Sequence, residues 1–173
     1  MIMKKAEKRI TILFAFAMLA IFALLLSYFK SINLSLQILL AVPIAFAGGI
    51  ALTWYFIGTM SVASLVGIIA LAGIASRNTI MLVSHYLHLM NEEGESFDEK
   101  MILRGTLERL NPILMTALTA GFALIPLMYN PDSAGKELLY PVSVMIVGGL
   151  FSSTLLSIVV TPAVFKMFGR SED

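Results

Sequence analysis

Forty-six consecutive residues, Ser31 to Ser76, carry no Asp, Glu, Lys or Arg, and no other feature limits the fold as tightly. Further uncharged runs hold 20 residues between Arg9 and Lys30, 22 between Arg109 and Asp132 and 28 between Glu137 and Lys166. A hydrocarbon core of about 30 Å takes about 20 apolar residues as a helix, and only helices or closed barrels satisfy every backbone amide there. The longest run is enough for two crossings. Its natural break is Trp54-Tyr55-Phe56-Ile57-Gly58-Thr59, where aromatic rings suited to headgroup level are followed by glycine. The expectation is five helices, spanning about 10–29, 34–56, 61–84, 112–129 and 140–165, in a single transmembrane domain over 1–173. A barrel is excluded because the runs are continuous rather than alternating, and each is about twice the length of a barrel strand. The predicted fold class is therefore all-α membrane.

Composition agrees. The chain is 58% hydrophobic and 13% charged, whereas soluble domains run near 45–50% and about 25%. A formal charge of +1 provides no basic stripe for nucleic acid. With no cysteine, disulfides, thiolate metal ligands and cysteine nucleophiles are all excluded. Lys4, Lys5, Lys8 and Arg9 precede the first run in the manner of a signal peptide, yet the run exceeds the usual length of about 7–15 residues. It also continues into Ser27-Tyr28-Phe29-Lys30 rather than a small-residue cleavage site, which makes it a retained helix.

Small residues spaced for close helix packing are Ala45 and Gly49, Ala63 and Gly67 beside Leu71, and Gly148-Gly149 with Ser152-Ser153. Pro43, Pro126 and Pro162 fall within or at the ends of spans. The one long polar segment, 85–111, contains Ser96-Phe97-Asp98-Glu99, an S-x-x-E capping box, followed by Leu103, Leu107 and Leu110 at helical spacing. It reads as a connector with a short interfacial helix, joined to the fourth span at Asn111-Pro112.

Arg77 lies 16 residues beyond Ser61, about 24 Å into the core at 1.5 Å per residue, and the next charge is Glu92. An intramembrane arginine needs a carboxylate, and none of the chain's acidic residues falls within a proposed span, so the partner acid would lie elsewhere. The alternative is that Arg77 snorkels to the nearer surface. Arg109 and Thr116, seven residues apart, share one face of a continuous helix, although snorkelling by Arg109 and back-bonding by Thr116 fit that spacing equally well. His85 and His88, at i and i+3, have no carboxylate at ligand spacing in the same helix, so no metal site and no cofactor is expected. The methionines, 11 in all, are scattered as packing residues. An intramembrane hydrolase using Ser76 and His85 is excluded, because nine residues on one helix separate them by about 13.5 Å.

Gly73-Ile74-Ala75-Ser76-Arg77-Asn78-Thr79-Ile80-Met81-Leu82-Val83-Ser84-His85 and Arg109-Leu110-Asn111-Pro112-Ile113-Leu114-Met115-Thr116-Ala117-Leu118-Thr119-Ala120 resemble the resistance-nodulation-cell division (RND) efflux pumps. The likeness is greatest to the heavy-metal branch of cobalt-zinc-cadmium type. Val42-Pro43, Gly48-Gly49, Ser152-Ser153-Thr154 and Val160-Thr161-Pro162 extend it over nearly the whole chain. Pumps of this family have two homologous halves of six helices. The first half carries paired aspartates where this chain has Arg77-Asn78, so the resemblance is to the eighth to twelfth helices, part of the second repeat.

The resemblance implies a proton antiporter rather than an enzyme, working as a trimer in the bacterial inner membrane. Arg77, Asn78, Arg109 and Thr116 would be the basic and polar side of its proton relay. Drug-exporting relatives often carry Lys at the position of Arg77, and some metal exporters another ionisable group. The first half of the pump would be a required partner, and periplasmic adaptor and outer-membrane channel would engage only through absent periplasmic domains. The alternative function is a truncated, non-transporting membrane subunit that assembles with or regulates another membrane protein.

The resemblance puts the N-terminus outside and 85–111 in the cytoplasm. The positive charges favour that orientation narrowly, with Lys30, Lys100, Arg104, Arg109, Lys166 and Arg170 inside against Lys4, Lys5, Lys8, Arg9 and Lys136 outside.

Overall fold

The computed structural model describes the backbone at residues 2–129 and 135–168, with side chains in those ranges from Lys8 onward. Five helices follow one another: α1 (Ile2–Phe29), α2 (Ile32–Phe56), α3 (Val62–Asn91), α4 (Glu99–Met128) and α5 (Lys136–Phe168). Each is long and apolar enough to cross a membrane, and no strand occurs among the described residues. The all-helical expectation holds.

The helix starts follow from short polar side chains. Ser31 Oγ accepts from the Leu34 amide at 3.4 Å, and Ser61 accepts from the Ser64 amide at 3.1 Å. At α4 the structure corrects the sequence reading. The cap is Asp98, whose Oδ1 accepts from the Met101 amide at 2.9 Å, rather than Ser96. Aspartate caps as well as serine, and its charge also favours the positive end of the helix dipole.

Residues 85–111 differ from a simple connector. α3 continues to Asn91, and α4 starts at Glu99 and passes through Asn111-Pro112 without ending. A helix-interior proline removes one ladder bond and crowds one carbonyl, a local cost that a 30-residue helix absorbs. The short break between the two helices contains Gly94 at φ 69°, a left-handed conformation that glycine adopts without a Cβ clash.

Much of this polar stretch is core. Tyr86, Leu89 and Met101 are fully buried with Leu82 and Phe165, and the Tyr86 and Phe165 ring centroids are 4.7 Å apart. The Tyr86 hydroxyl lies 2.6 Å from Thr106 Oγ1, and Thr106 donates to the Ile102 carbonyl at 2.7 Å. An apolar ring with a satisfied polar tip thus joins α3, α4 and α5.

α5 is central and packs on α2, α3 and α4, whereas among the described residues α1 touches only α2 and α3. The α2–α5 contact is backbone on backbone. A Cβ at Gly148 would come within 2.5 Å of the Gly48 carbonyl oxygen, and Ser152 Oγ donates to the Ile44 carbonyl at 2.8 Å. α1 and α4 are peripheral: only 6% of the most apolar stretch of each is buried, against 50% in α3 and α5. Their outer faces, with Phe16 and Leu19 on α1 and Met115, Leu118 and Phe122 on α4, are left for lipid or other helices.

Candidate functional site

The sequence-selected residues occupy two levels of the bundle. Eight residues of α3 separate Arg77 from His85, a rise of about 12 Å. Arg77 is exposed, at the edge of a 490 Å³ groove between α1 and α3 walled by Leu24, Leu25, Tyr28, Ile80 and Met81. Among the described residues no carboxylate pairs with it. Of the described acids near the α3–α4 turn, Glu93, Glu95 and Glu108 pair with Arg104, Glu99 pairs with Lys166, and Asp98 caps α4.

Asn78 faces a different way from Arg77. Adjacent helical residues point about 100° apart, and here that rotation buries Asn78, 7% exposed, while Arg77 stays on the surface. Within this chain the two neighbours therefore meet different surroundings.

Arg109 is half-buried at the other level, its Nη2 3.4 Å from His85 Nδ1. Thr116, two turns on, is exposed and donates to the Pro112 carbonyl at 2.6 Å. The back-bonding reading of Thr116 is the one found within this chain. A threonine hydroxyl bonding the carbonyl four residues earlier is an ordinary helix-interior contact. No hydrogen bond or ion pair joins Arg77 to Arg109 or Thr116 among the described residues.

Around Arg109 lies an ionic cluster that sequence reasoning missed. His85 Nε2 sits 2.7 Å from Glu108 Oε2, and Arg104 Nε donates to Glu108 Oε1 at 2.8 Å. Arg104 also pairs with Glu93 at 2.9 Å and with Glu95. The Arg104–Glu108 part was legible as an i,i+4 pair. The His85–Glu108 contact crosses from α3 to α4 and has no local signal. The His85 and His88 rings lie nearly parallel with centroids 6.3 Å apart.

Five membrane-length helices with close glycine contacts define a polytopic membrane-protein bundle. The chain belongs to the AcrB/AcrD/AcrF family, whose family model matches residues 2–169. The cobalt-zinc-cadmium resistance protein CzcA of Cupriavidus metallidurans is 33% identical over 171 residues, covering 99% of this chain and 16% of that protein. The multidrug resistance protein MdtC of Salmonella paratyphi B is 35% identical over 159 residues, 92% of this chain and 15% of that one. A crystal structure of a heavy metal efflux pump superposes with a TM-score of 0.83 at 32% identity, covering 96% of this chain and 16% of that one. This chain thus spans about a sixth of the length of the relatives it matches.

Proposed function

We propose that this chain supplies the eighth to twelfth transmembrane helices of a proton-driven exporter of heavy-metal cations. In this reading Arg77, Asn78, Arg109 and Thr116 form the basic and polar side of a relay whose carboxylates come from the first half. The assembly is a trimer in the bacterial inner membrane, and adaptor and outer-membrane channel engage it through periplasmic domains outside this chain.

The observation that carries the reading is Arg77. Arginine stays charged in proteins, and here it stands beside an apolar groove with no described carboxylate in reach. A cation at that depth in a membrane requires a counter-charge, and a helix from another part of the pump, carrying an acid, satisfies it. Arg77 then orients and tunes the carboxylates without carrying protons itself. Metal as cargo is supported by the names of relatives such as the cobalt-zinc-cadmium and the nickel-cobalt-cadmium resistance proteins.

Transport needs two repeats moving against each other around a site, and this chain holds part of one. Residues 10–29, 34–56, 61–84, 112–129 and 140–165 contain no Asp, Glu, Lys or His to take up and release a proton. The purified 173-residue chain in liposomes is expected to move neither protons nor divalent metal above empty vesicles under an imposed pH gradient. Flux should appear when the first seven helices are supplied. Gradient-driven metal flux from this chain alone, abolished by a protonophore, overturns the reading. So does co-purification from native membranes with an unrelated membrane protein and no pump half, which favours the regulatory subunit.

Orientation has its own test. The chain has no cysteine, so single replacements report cleanly. Ser96→Cys in the α3–α4 turn should be labelled only from the cytoplasm and Thr59→Cys in the α2–α3 turn only from the periplasm. Both positions are exposed. Ser133, the other natural choice, lies outside the described residues. Periplasmic labelling of Ser96→Cys in the assembled protein reverses the assignment.

A further inference from the structure

We propose that His85 is a positioning residue for Arg109, fixing where its guanidinium points through a neutral ring hydrogen-bonded at both nitrogens. The inference rests on the reading of Arg109 as a relay group.

The partners dictate the state of the ring. Glu108 Oε2, 2.7 Å from Nε2, is a carboxylate oxygen that accepts, so Nε2 carries the hydrogen. Arg109 can only donate, so Nδ1, 3.4 Å from Nη2, offers its lone pair. The neutral Nε2–H tautomer is the one form that makes both bonds. A proton added at Nδ1 would set an N–H against the guanidinium and release it. The groups facing the ring among the described residues are Glu108 and Arg109 from α4 and His88 from α3, with Arg104 behind Glu108.

The ring is itself held. Its side chain is only 12% exposed, and Glu108 is gripped from the far side by Arg104, which is anchored on Glu93 and Glu95 in the α3–α4 turn. A contact series therefore runs from that turn through Arg104, Glu108 and His85 to Arg109. Glu108 and Arg109 are consecutive on α4, so the backbone alone turns them about 100° apart. A ring reaching over from α3 is what lets one acid steer its own neighbour. Arg109 then stays at the foot of the face that carries Thr116, the face assigned to the relay.

Nitrogen-15 NMR of the histidine-labelled chain in lipid tests the geometry without transport. There are two histidines, and His88→Gln assigns the signals. The expected result is a protonated Nε2 and an unprotonated Nδ1 at His85, with the Nδ1 signal moving in Arg109→Gln. A Nδ1–H tautomer, or an Nδ1 signal indifferent to Arg109→Gln, overturns the proposal.

The assembled pump supplies the second arm. His85→Ala should lower export about tenfold, as loss of a charge-assisted hydrogen bond would. It should also move the pH profile upward by about one unit, because a carboxylate that loses a nearby cation ionises at higher pH. His85→Gln, which keeps one donor and one acceptor, should recover part of both effects. In an Arg109→Ala background, His85→Ala should add nothing. A loss equal at every pH makes His85 a structural brace and overturns the inference. Full export by Arg109→Ala instead overturns the relay reading, and the NMR result still decides the tautomer.

Discussion

Replacing Arg77 with alanine should abolish proton-coupled export by the assembled pump while leaving assembly nearly intact. The side chain is exposed in this chain and touches no described acid, so its removal opens no cavity and breaks no internal pair. Surface replacements of that kind change stability by about 0.5 kcal/mol or less. The coupling effect is of another size. A cation within hydrogen-bonding distance lowers a carboxylate pKa by about 1–3 units. Without it the carboxylate pKa rises, the proton is retained at a pH where it should leave, and the cycle stalls in the protonated state. Export and proton release, measured beside the yield of assembled trimer, separate the two effects. Normal export and proton release in Arg77→Ala would return Arg77 to a snorkelling role.

Gly148→Ala should be among the most damaging single methyls in the bundle. Its Cβ would come within 2.5 Å of the Gly48 carbonyl oxygen and 2.9 Å of the Leu52 side chain. Backbone cannot rotate aside, so α2 and α5 must separate, and α5 also carries the contacts to α3 and α4. Overpacking of this kind costs about 1–3 kcal/mol, against a gain of about 0.5–1 kcal/mol from replacing a helical glycine. Gly121→Ala on α4 is the control, because nothing lies within 4 Å of its Cβ position. In denaturant titrations in detergent, Gly148→Ala should lose stability and Gly121→Ala should hold or gain. Equal midpoints for the two variants would mean that the α2–α5 approach is not tight in the membrane.

The local chain determined the parts of this protein that depend on local physics. Charge-free runs set the number and order of helices, because a bilayer-length apolar segment has only one way to satisfy its amides. Ala45 with Gly49 and Gly148-Gly149 announced close approach, since only small residues admit it. The motif around Arg77 and Arg109 carried the family. Local reasoning also slipped locally: Asp98, two residues past Ser96, is the cap, and Pro112 lies inside α4 rather than at its border.

Tertiary structure decided what distant residues share. The apolar positions in 85–111 were visible, yet only α5's arrival with Phe165 turned Tyr86 into core. Arg77 and Asn78 are neighbours in sequence, and only the packing of α3 shows that one faces the surface and the other the interior. His85 and Glu108 are 23 residues apart, and nothing in either helix's own pattern announces the other. Helical periodicity fixes which face a side chain occupies, whereas the partner across that face depends on how two helices meet.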